Sequence, residues 1–262
     1  NCSRFSSCLA LSQEMLRALQ HGVMPALWIQ ALVVNTVLIS LAQRTALLTR
    51  AGWIHAAALG TMLWGCLGWQ GWLAVVAYLV LGSAVTKIGF REKQSKGIAE
   101  ARGGQRGPEN VWGSAAVGAL LALGIGAELE PRSLLLIGFS ASFAAKLADT
   151  FGSEIGKRYG RTTVLITTLR PVPPGTEGAI SLEGTFASAV GSVLMTLVMW
   201  TLQLIPNGPM AALVMLVGLV ATLGESLLGA LVQERFGWLS NELINAVQTL
   251  FAAVLAMLLA AV

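Results

Sequence analysis

The sequence predicts an all-α membrane protein with about eight transmembrane helices. Of its 262 residues, 55% are hydrophobic and only 11% are charged, whereas soluble proteins carry about 25% charged residues. The mean hydropathy is +0.71, and the apolar residues come in blocks of about 20, the length that a helix needs to cross the hydrocarbon core. Only helices or closed barrels satisfy backbone hydrogen bonds in lipid. Long Leu, Val and Ala runs, rather than short alternating segments, favour helices.

The predicted spans follow one another with short connections, apart from two longer polar loops near residues 91–110 and 157–181. They are Met24–Leu41, Trp53–Leu67, Trp72–Phe90, Val111–Ala127, Ser133–Gly156, Leu182–Ile205, Met210–Val232 and Glu242–Val262. Pro108 marks the start of the fourth span. The run Pro206-Asn207-Gly208-Pro209 predicts a tight turn between the sixth and the seventh, because Pro and Gly interrupt helices.

The N-terminal segment, residues 1–22, is predicted to be separate from the membrane domain, residues 23–262. Its first eight residues are rich in Ser, contain one Arg and no acid, and are typical of the end of a plastid or mitochondrial transit peptide. Leu9–Gln20 is predicted to form an amphipathic helix at the membrane interface.

Basic residues predict the orientation in the membrane. Twelve of the 17 Lys and Arg residues fall in the odd-numbered connections between spans, and three fall on the other side. Positive loops stay in the cytoplasm, or in the stroma of a plastid, so both termini are expected on the opposite side. The net charge of +4 therefore reflects orientation, and no basic tract interleaved with aromatic residues indicates nucleic-acid binding. The cysteines (Cys2, Cys8 and Cys66) have no metal-ligand spacing.

The fifth span carries two distinct faces. One is polar and contains Lys146, Asp149, Thr150, Ser153 and Lys157 at helical spacing, with Glu154 beside it. The other repeats a small residue at every fourth position (Ala144, Ala148, Gly152 and Gly156), which predicts close approach of another helix. Charged residues in a membrane usually mark function. The alternative for Lys146 and Asp149 is a structural pair whose charges neutralise each other.

Four carboxylates are expected to meet at the positive side of the bundle. Asp149 and Glu154 belong to the fifth span, Glu225 to the seventh, and Glu242 to the start of the eighth, near Asn245. Oxygen ligands of this kind suit Mg²⁺, which proteins commonly hold with a few carboxylates and the phosphates of a substrate. We therefore predict all four as metal ligands, and Asp149, Glu154, Lys146 and Glu225 as the catalytic set.

Two loops on the same side carry the opposite charge. The segment from Arg102 to Asn110 is basic and rich in Gly and leads into a helix N-terminus, where backbone N–H groups favour phosphate. A flexible positive loop is the alternative. The second loop has a β-prone stretch, then a proline turn, then a Gly-rich start of the sixth helix. The predicted phosphate-binding residues are Arg102, Gly103, Gly104, Arg106, Asn110, Thr168, Arg170, Gly175 and Thr176. Together with a membrane location, these features predict phosphoryl transfer onto a lipid.

Several of these segments resemble the phytyl-phosphate kinase family of plastid and cyanobacterial membrane proteins. They are Ala148–Gly156, Leu165–Thr168, Val172–Thr185, Gly103–Gly107, Gly224–Ala230 and Asn241–Asn245, and the resemblance extends over residues 24–262. It implies a membrane kinase that converts phytyl phosphate to phytyl diphosphate with CTP or another nucleoside triphosphate and Mg²⁺. The pathways implied are vitamin E synthesis and phytol salvage.

The resemblance has two departures, and the residues leave other functions open. Glu225 and Glu242 stand where the family pattern has Asp, which lengthens each carboxylate by one methylene. A secondary transporter with an intramembrane Lys146–Asp149–Glu225 pathway is the alternative function, and it predicts polar groups near mid-membrane that both sides reach in turn. A structural or assembly role for a membrane protein is the third interpretation.

Overall fold

The fold is a helical bundle in a computed structural model that describes residues 26–233 and 240–262. The N-terminal segment 1–22 and residues 24–25 of the first predicted span lie outside these ranges, so the predictions made for them stay predictions. The helices are α1 (Ala26–Ala42), α2 (Arg50–Lys87), α3 (Phe90–Ser95), α4 (Pro108–Gly126), α5 (Arg132–Tyr159), α6 (Leu182–Thr201), α7 (Gly208–Leu228) and α8 (Asn241–Ala260). A 3₁₀ turn covers Ala101–Gly104, and α7 continues as a π-helix over Gly229–Gln233.

Helix α2 is a helical hairpin rather than one straight rod. Gly68 interrupts it with φ 72° and ψ −170°, a conformation that glycine adopts without a steric penalty. The chain reverses there, because Gly52 near the start of α2 and Gly82 near its end both contact Arg106. The ring nitrogen of Trp72 also donates a hydrogen bond of 2.7 Å to Asn35 Oδ1, and the same ring packs on Gly60. The two limbs correspond to the second and third predicted spans.

The predicted all-α membrane fold is confirmed. Among the described residues, five helices (α2, α5, α6, α8 and α7 with its π-helical extension) are long and apolar enough to cross a membrane, and α1 is a shorter apolar helix. With the two limbs of α2 counted separately and α4 included, each of the eight predicted spans has a helical counterpart. Local sequence explains several helix starts, because the side chain of the residue before the helix accepts a hydrogen bond from a backbone N–H of the first turn. The residues that cap a helix in this way are Thr49, Ser181, Asn207 and Ser240.

Helix α5 is the centre of the bundle and packs against α2, α4, α6, α7 and α8. Its segment from Ile137 to Ala148 is buried throughout, including the fully enclosed side chains of Phe139 and Phe143. The small-residue face provides the predicted close approach: Gly152 and Gly156 lie against Gly184 of α6. A central helix surrounded by five others brings its polar residues close to most of the bundle.

The polar loops lie together at one end of the bundle. Gly52 and Gly82 meet Arg106 at this end, whereas Cys66, beside the turn of the α2 hairpin, meets Gly126 at the other. The loop between α5 and α6 is held by a two-stranded antiparallel ladder, β1 (Val164–Leu165) with β2 (Ala179–Ile180). Strand β1 lies within the β-prone stretch predicted there, and Val164 also forms an isolated bridge with Pro171 of the proline turn.

Candidate active site

A polar cavity of about 570 Å³ opens at the end of the bundle where the polar loops meet. Its lining contains most of the site residues predicted from the sequence: Lys146, Asp149, Glu154, Glu225, Glu242, Arg102, Gly104, Arg106, Asn110, Gly175 and Thr176. Gly103, Thr168 and Arg170 are not among the lining residues. The backbone N–H of Arg170 donates instead to the Thr168 hydroxyl, 3.4 Å away, on the exposed face of the loop.

Lys146 occupies the inner part of the cavity and has two side-chain partners. Its ammonium group forms an ion pair with Asp149 one turn later and donates a hydrogen bond of 2.8 Å to Asn245 Oδ1 of α8. Lys146 is 6% exposed. An unpaired charge at that burial is costly, so Asp149 and Asn245 stabilise the ammonium group inside the bundle.

The polar group reaches from the loop end of the bundle into its interior. Asn245 is four residues after the start of α8. Asp149 and Lys146 are 10 and 13 residues before the end of α5 at Tyr159, which at a rise of 1.5 Å per residue corresponds to about 15 and 20 Å. The cavity therefore opens at one end of the bundle, and its floor lies deep between the helices.

Glu154 is engaged by a lysine that sequence reasoning did not select. Its carboxylate forms an ion pair with Lys93 of α3, and the two side chains are 2% and 1% exposed. The ammonium group of Lys93 also donates to the carbonyl oxygen of Thr86 at 2.9 Å. The pair therefore joins α3 and the end of α2 to α5. A lysine in a positive loop carries no local signal of burial, because most such residues are solvated.

Glu225 and Glu242 complete the carboxylates around the cavity. Glu225 interacts electrostatically with both Asp149 and Lys146, and Glu242 Oε1 accepts a hydrogen bond of 3.4 Å from the Asn110 amide. Within residues 26–233 and 240–262, no group of three or more His, Cys, Asp and Glu residues is placed to hold a metal ion. The four carboxylates share one cavity, but lysines engage Asp149 and Glu154, so the four do not converge on one ion.

The Gly-rich loop is held by backbone hydrogen bonds to the segment before α2 and by side-chain contacts at the start of α4. The backbone N–H of Arg106 donates to the carbonyl of Leu47, and the N–H of Thr49 donates to the carbonyl of Arg106, both at 3.1 Å. The Arg102 guanidinium pairs with Glu109 and donates to Asn110 Oδ1 at 2.9 Å. The same Asn110 oxygen accepts from the backbone N–H of Gly107 and caps α4. Gly103 and Gly104 have φ values of 65° and 80°, which glycine tolerates.

The outer part of the cavity is bordered by paired charges and by the turn before α6. Lys157 pairs with Glu100 at 3.4 Å. Burial by itself raises the pKa of Glu100, but the positive charge and the hydrogen bond of Lys157 outweigh it, so the pKa of this carboxyl lies below its ordinary value. Thr176 donates its hydroxyl to the carbonyl of Pro173 at 2.8 Å, and Gly175 adopts φ 90°.

Two further polar residues, next to Arg106 and Lys146, were missed in the sequence. Tyr78 of the second α2 limb is buried and accepts a hydrogen bond of 2.7 Å from Arg106 Nη1. Ser114 of α4 lines the cavity and interacts with the Tyr78 hydroxyl. The available signal was composition, since Tyr78 is one of only two tyrosines and stands inside an apolar span.

Comparison with known families identifies the family of this chain. Residues 33–253 match the family described as "Integral membrane protein DUF92". The chain belongs to this family of integral membrane proteins. The family-level resemblance stated from the sequence is thereby confirmed, and so is the membrane location. No solved structure matches the chain.

Relatives of this family member come from cyanobacteria, plants and archaea. The chain is 47% identical to "Uncharacterized membrane protein sll0875" of Synechocystis over 87% of this chain and 90% of the relative. It is 43% identical to "Protein VTE6, chloroplastic" of Arabidopsis thaliana, over 81% of this chain and 65% of the relative. It is 29% identical to "Uncharacterized membrane protein MJ0933" of Methanocaldococcus jannaschii, over 87% and 92%.

Proposed function

We propose that this protein is a membrane lipid kinase that phosphorylates phytyl phosphate, or a related prenyl monophosphate, to the diphosphate. The phosphoryl donor is a nucleoside triphosphate, with CTP as the first candidate. The observation that carries the proposal is the cavity at the loop end of the bundle, where cations, carboxylates and Gly-rich loops all meet. Two similarities support the substrate class. They are the resemblance of the sequence to phytyl-phosphate kinases and the 43% sequence identity to the relative named as chloroplastic. The product would feed tocopherol and phylloquinone synthesis.

The reaction is a phosphoryl transfer between two phosphates. A terminal oxygen of the lipid phosphate attacks the γ-phosphorus, and the bond from that phosphorus to the β–γ bridging oxygen breaks as the new P–O–P bond forms. The nucleoside diphosphate leaves with the electron pair of the broken bond. A dianionic lipid phosphate needs no proton removed, so the task of the protein is positioning and charge neutralisation. Lys146, Arg106 and the Gly-rich loops provide both.

Mg²⁺ would be held by two of the carboxylates. Glu225 interacts with Asp149 across the cavity, and Mg²⁺ in nucleotide sites is commonly bound by one or two carboxylates together with phosphates and water. Asp149 and Glu225 therefore fit a metal that arrives with the nucleotide. When bound, the ion would neutralise the developing charge on the phosphate oxygens. Asp149 and Glu154 are both paired with a lysine, but Glu154 fits this role less well, because its side chain is 2% exposed whereas that of Asp149 is 15% exposed.

The predicted orientation places this cavity on the positive side of the membrane. That side would be the stroma if the protein resides in a plastid, and the cytoplasm if it resides in a prokaryotic cell membrane. The relative with "chloroplastic" in its name supports the plastid. Nucleotides are available in both compartments, so the proposed chemistry works in either.

A direct assay tests the function. Purified protein in detergent is incubated with phytyl phosphate, Mg²⁺ and each nucleoside triphosphate in turn, and the lipid products are separated. We expect phytyl diphosphate, with one nucleotide preferred, and we expect Asp149→Asn to lower the rate at least a hundredfold. An Asp149→Asn variant as fast as the wild type would refute the metal assignment, and absence of product with every nucleotide would refute the kinase.

The secondary transporter is tested in the same preparation. It requires the Lys146–Asp149–Glu225 group to be reached from both membrane faces in turn, whereas the cavity that contains this group opens at the loop end of the bundle. Uptake of labelled phytyl phosphate into proteoliposomes without nucleotide would favour transport over the kinase.

A further inference from the structure

Arg106 differs from the other cations of the cavity because, among the described residues, it forms no ion pair with a carboxylate. Lys146 pairs with Asp149, Lys157 with Glu100, and Arg102 with Glu109. The Arg106 side chain contacts the hydroxyl and ring of Tyr78, and Glu100, with which it interacts electrostatically, is paired with Lys157. A half-buried guanidinium without an ion-paired carboxylate, facing a polar cavity, is a binding position for an anionic group.

The guanidinium of Arg106 is held in a defined orientation. Its Nη1 donates to the Tyr78 hydroxyl at 2.7 Å, and its central carbon lies 5.1 Å from the centre of the Tyr78 ring. Gly82 makes room for it, since a Cβ at that position would lie 2.5 Å from Nη2. Tyr78 itself is fixed by packing against Phe143 of α5, with ring centres 5.6 Å apart.

The held guanidinium lies at the inner end of the cavity. Gly82 and Tyr78 are five and nine residues before the end of α2, which corresponds to depths of about 8 and 14 Å along the helix. Lys146 interacts electrostatically with the same Tyr78, and Ser114 lines the cavity beside them. Two cations, Lys146 of α5 and Arg106 of the loop before α4, therefore face one small volume.

We infer that this inner volume, between Arg106 and Lys146, binds the phosphate of the lipid substrate, with Tyr78 and Gly82 as positioning residues. This inference rests on the proposed kinase function. The prenyl tail has to stay in hydrocarbon, so its phosphate occupies the deeper position. The base and ribose of a nucleotide are polar, so the triphosphate occupies the outer position, near Lys157 and the loops at Gly104 and Gly175.

Binding measurements without turnover test the two positions separately. Phytyl phosphate and the preferred nucleotide are each titrated alone into detergent-solubilised protein, and affinity is taken from the concentration dependence of the melting temperature. We expect Tyr78→Phe to lower the affinity for phytyl phosphate about tenfold, the usual effect of losing a hydrogen bond to a charged group. Nucleotide affinity should stay within twofold. Gly82→Ala should act in the same direction, because its methyl group displaces the guanidinium.

The matched control is Tyr159→Phe, the same chemical change at the only other tyrosine. Its ring stacks on Arg158, outside the cavity lining, so both affinities should equal those of the wild type. Lys157→Gln should lower the affinity for the nucleotide and leave the affinity for phytyl phosphate unchanged.

Three outcomes would overturn the inference. If wild type and Tyr78→Phe bind phytyl phosphate equally, the inner subsite is wrong and the kinase proposal stands. If Tyr78→Phe weakens only the nucleotide, the two ligands occupy the opposite positions. If the wild type binds no phytyl phosphate at all, the proposed function fails together with the subsite.

Discussion

The Lys93–Glu154 ion pair offers the sharpest test of what Glu154 does. The sequence places Glu154 among the metal ligands, whereas the structure buries it against Lys93, with 2% and 1% of the two side chains exposed. Removing one partner of a buried pair leaves an uncompensated charge and costs about 3–5 kcal/mol. We therefore expect Glu154→Gln and Lys93→Met each to destabilise the protein by about this amount.

That free energy is large enough to be read from melting curves. A loss of 1 kcal/mol lowers the melting temperature of a chain of this size by about 2–4 °C, so each single variant should melt roughly 6–20 °C below the wild type. Lys93→Met combined with Glu154→Leu removes both charges, and it should be less destabilised than the sum of the corresponding single variants. Melting of the detergent-solubilised protein, followed by differential scanning fluorimetry, provides the measurement.

Glu92→Gln is the control, because it makes the same chemical change, Glu to Gln, in an ion pair between the same two helices, α3 and α5. Glu92 pairs with Arg158 at 2.6 Å but is 56% exposed, and exposed pairs contribute about 0–1 kcal/mol. Its melting temperature should change by no more than a few degrees. The reasoning is refuted if Glu154→Gln melts with the wild type while losing activity, since Glu154 would then serve the chemistry rather than the fold.

The remaining predictions concern packing and the metal. Gly152→Ala should destabilise the protein by about 1–3 kcal/mol through overpacking, because the new Cβ would lie 2.0 Å from the Ser188 hydroxyl. Gly224→Ala is its control, because nothing lies within 4 Å of the new Cβ. Equal melting temperatures of the two variants would contradict the packing argument. EDTA should abolish phytyl diphosphate formation and excess Mg²⁺ should restore it. Full activity in EDTA would exclude Asp149 and Glu225 as ligands of an essential metal.

Much of the fold is predictable because membrane insertion depends on local properties. Span length, apolar composition and the distribution of Lys and Arg are read along the chain without knowing any partner. Gly68 illustrates the limit of this reading: the sequence shows two spans around it, but the break that turns the chain back is seen only in the backbone, at φ 72°. The spacing of Gly152 and Gly156 predicted the close approach of another helix, since spacing alone defines a helix face, and the structure identifies that helix as α6.

The site was predictable in composition but not in pairing. Most residues selected for phosphate and metal line one cavity, because helix ends on the same membrane side are forced together. Thr168 and Arg170 do not line it, although they belong to the same loop as Thr176. The β2 residues Ala179 and Ile180 line the cavity together with Thr176, whereas Thr168 and Arg170 lie in an exposed turn of the loop.

The sequence by itself determined that this chain is a helical membrane protein with its polar chemistry at one face, because the bilayer imposes those features on each segment independently. Only the tertiary structure decided which charge meets which: Lys93 with Glu154, Lys146 with Asp149 and Asn245, and Arg106 with Tyr78. Lysine and arginine side chains are long and flexible, and in water they have no preferred partner. Their partners are selected when the helices pack, because a buried charge is stable only beside a group that compensates it.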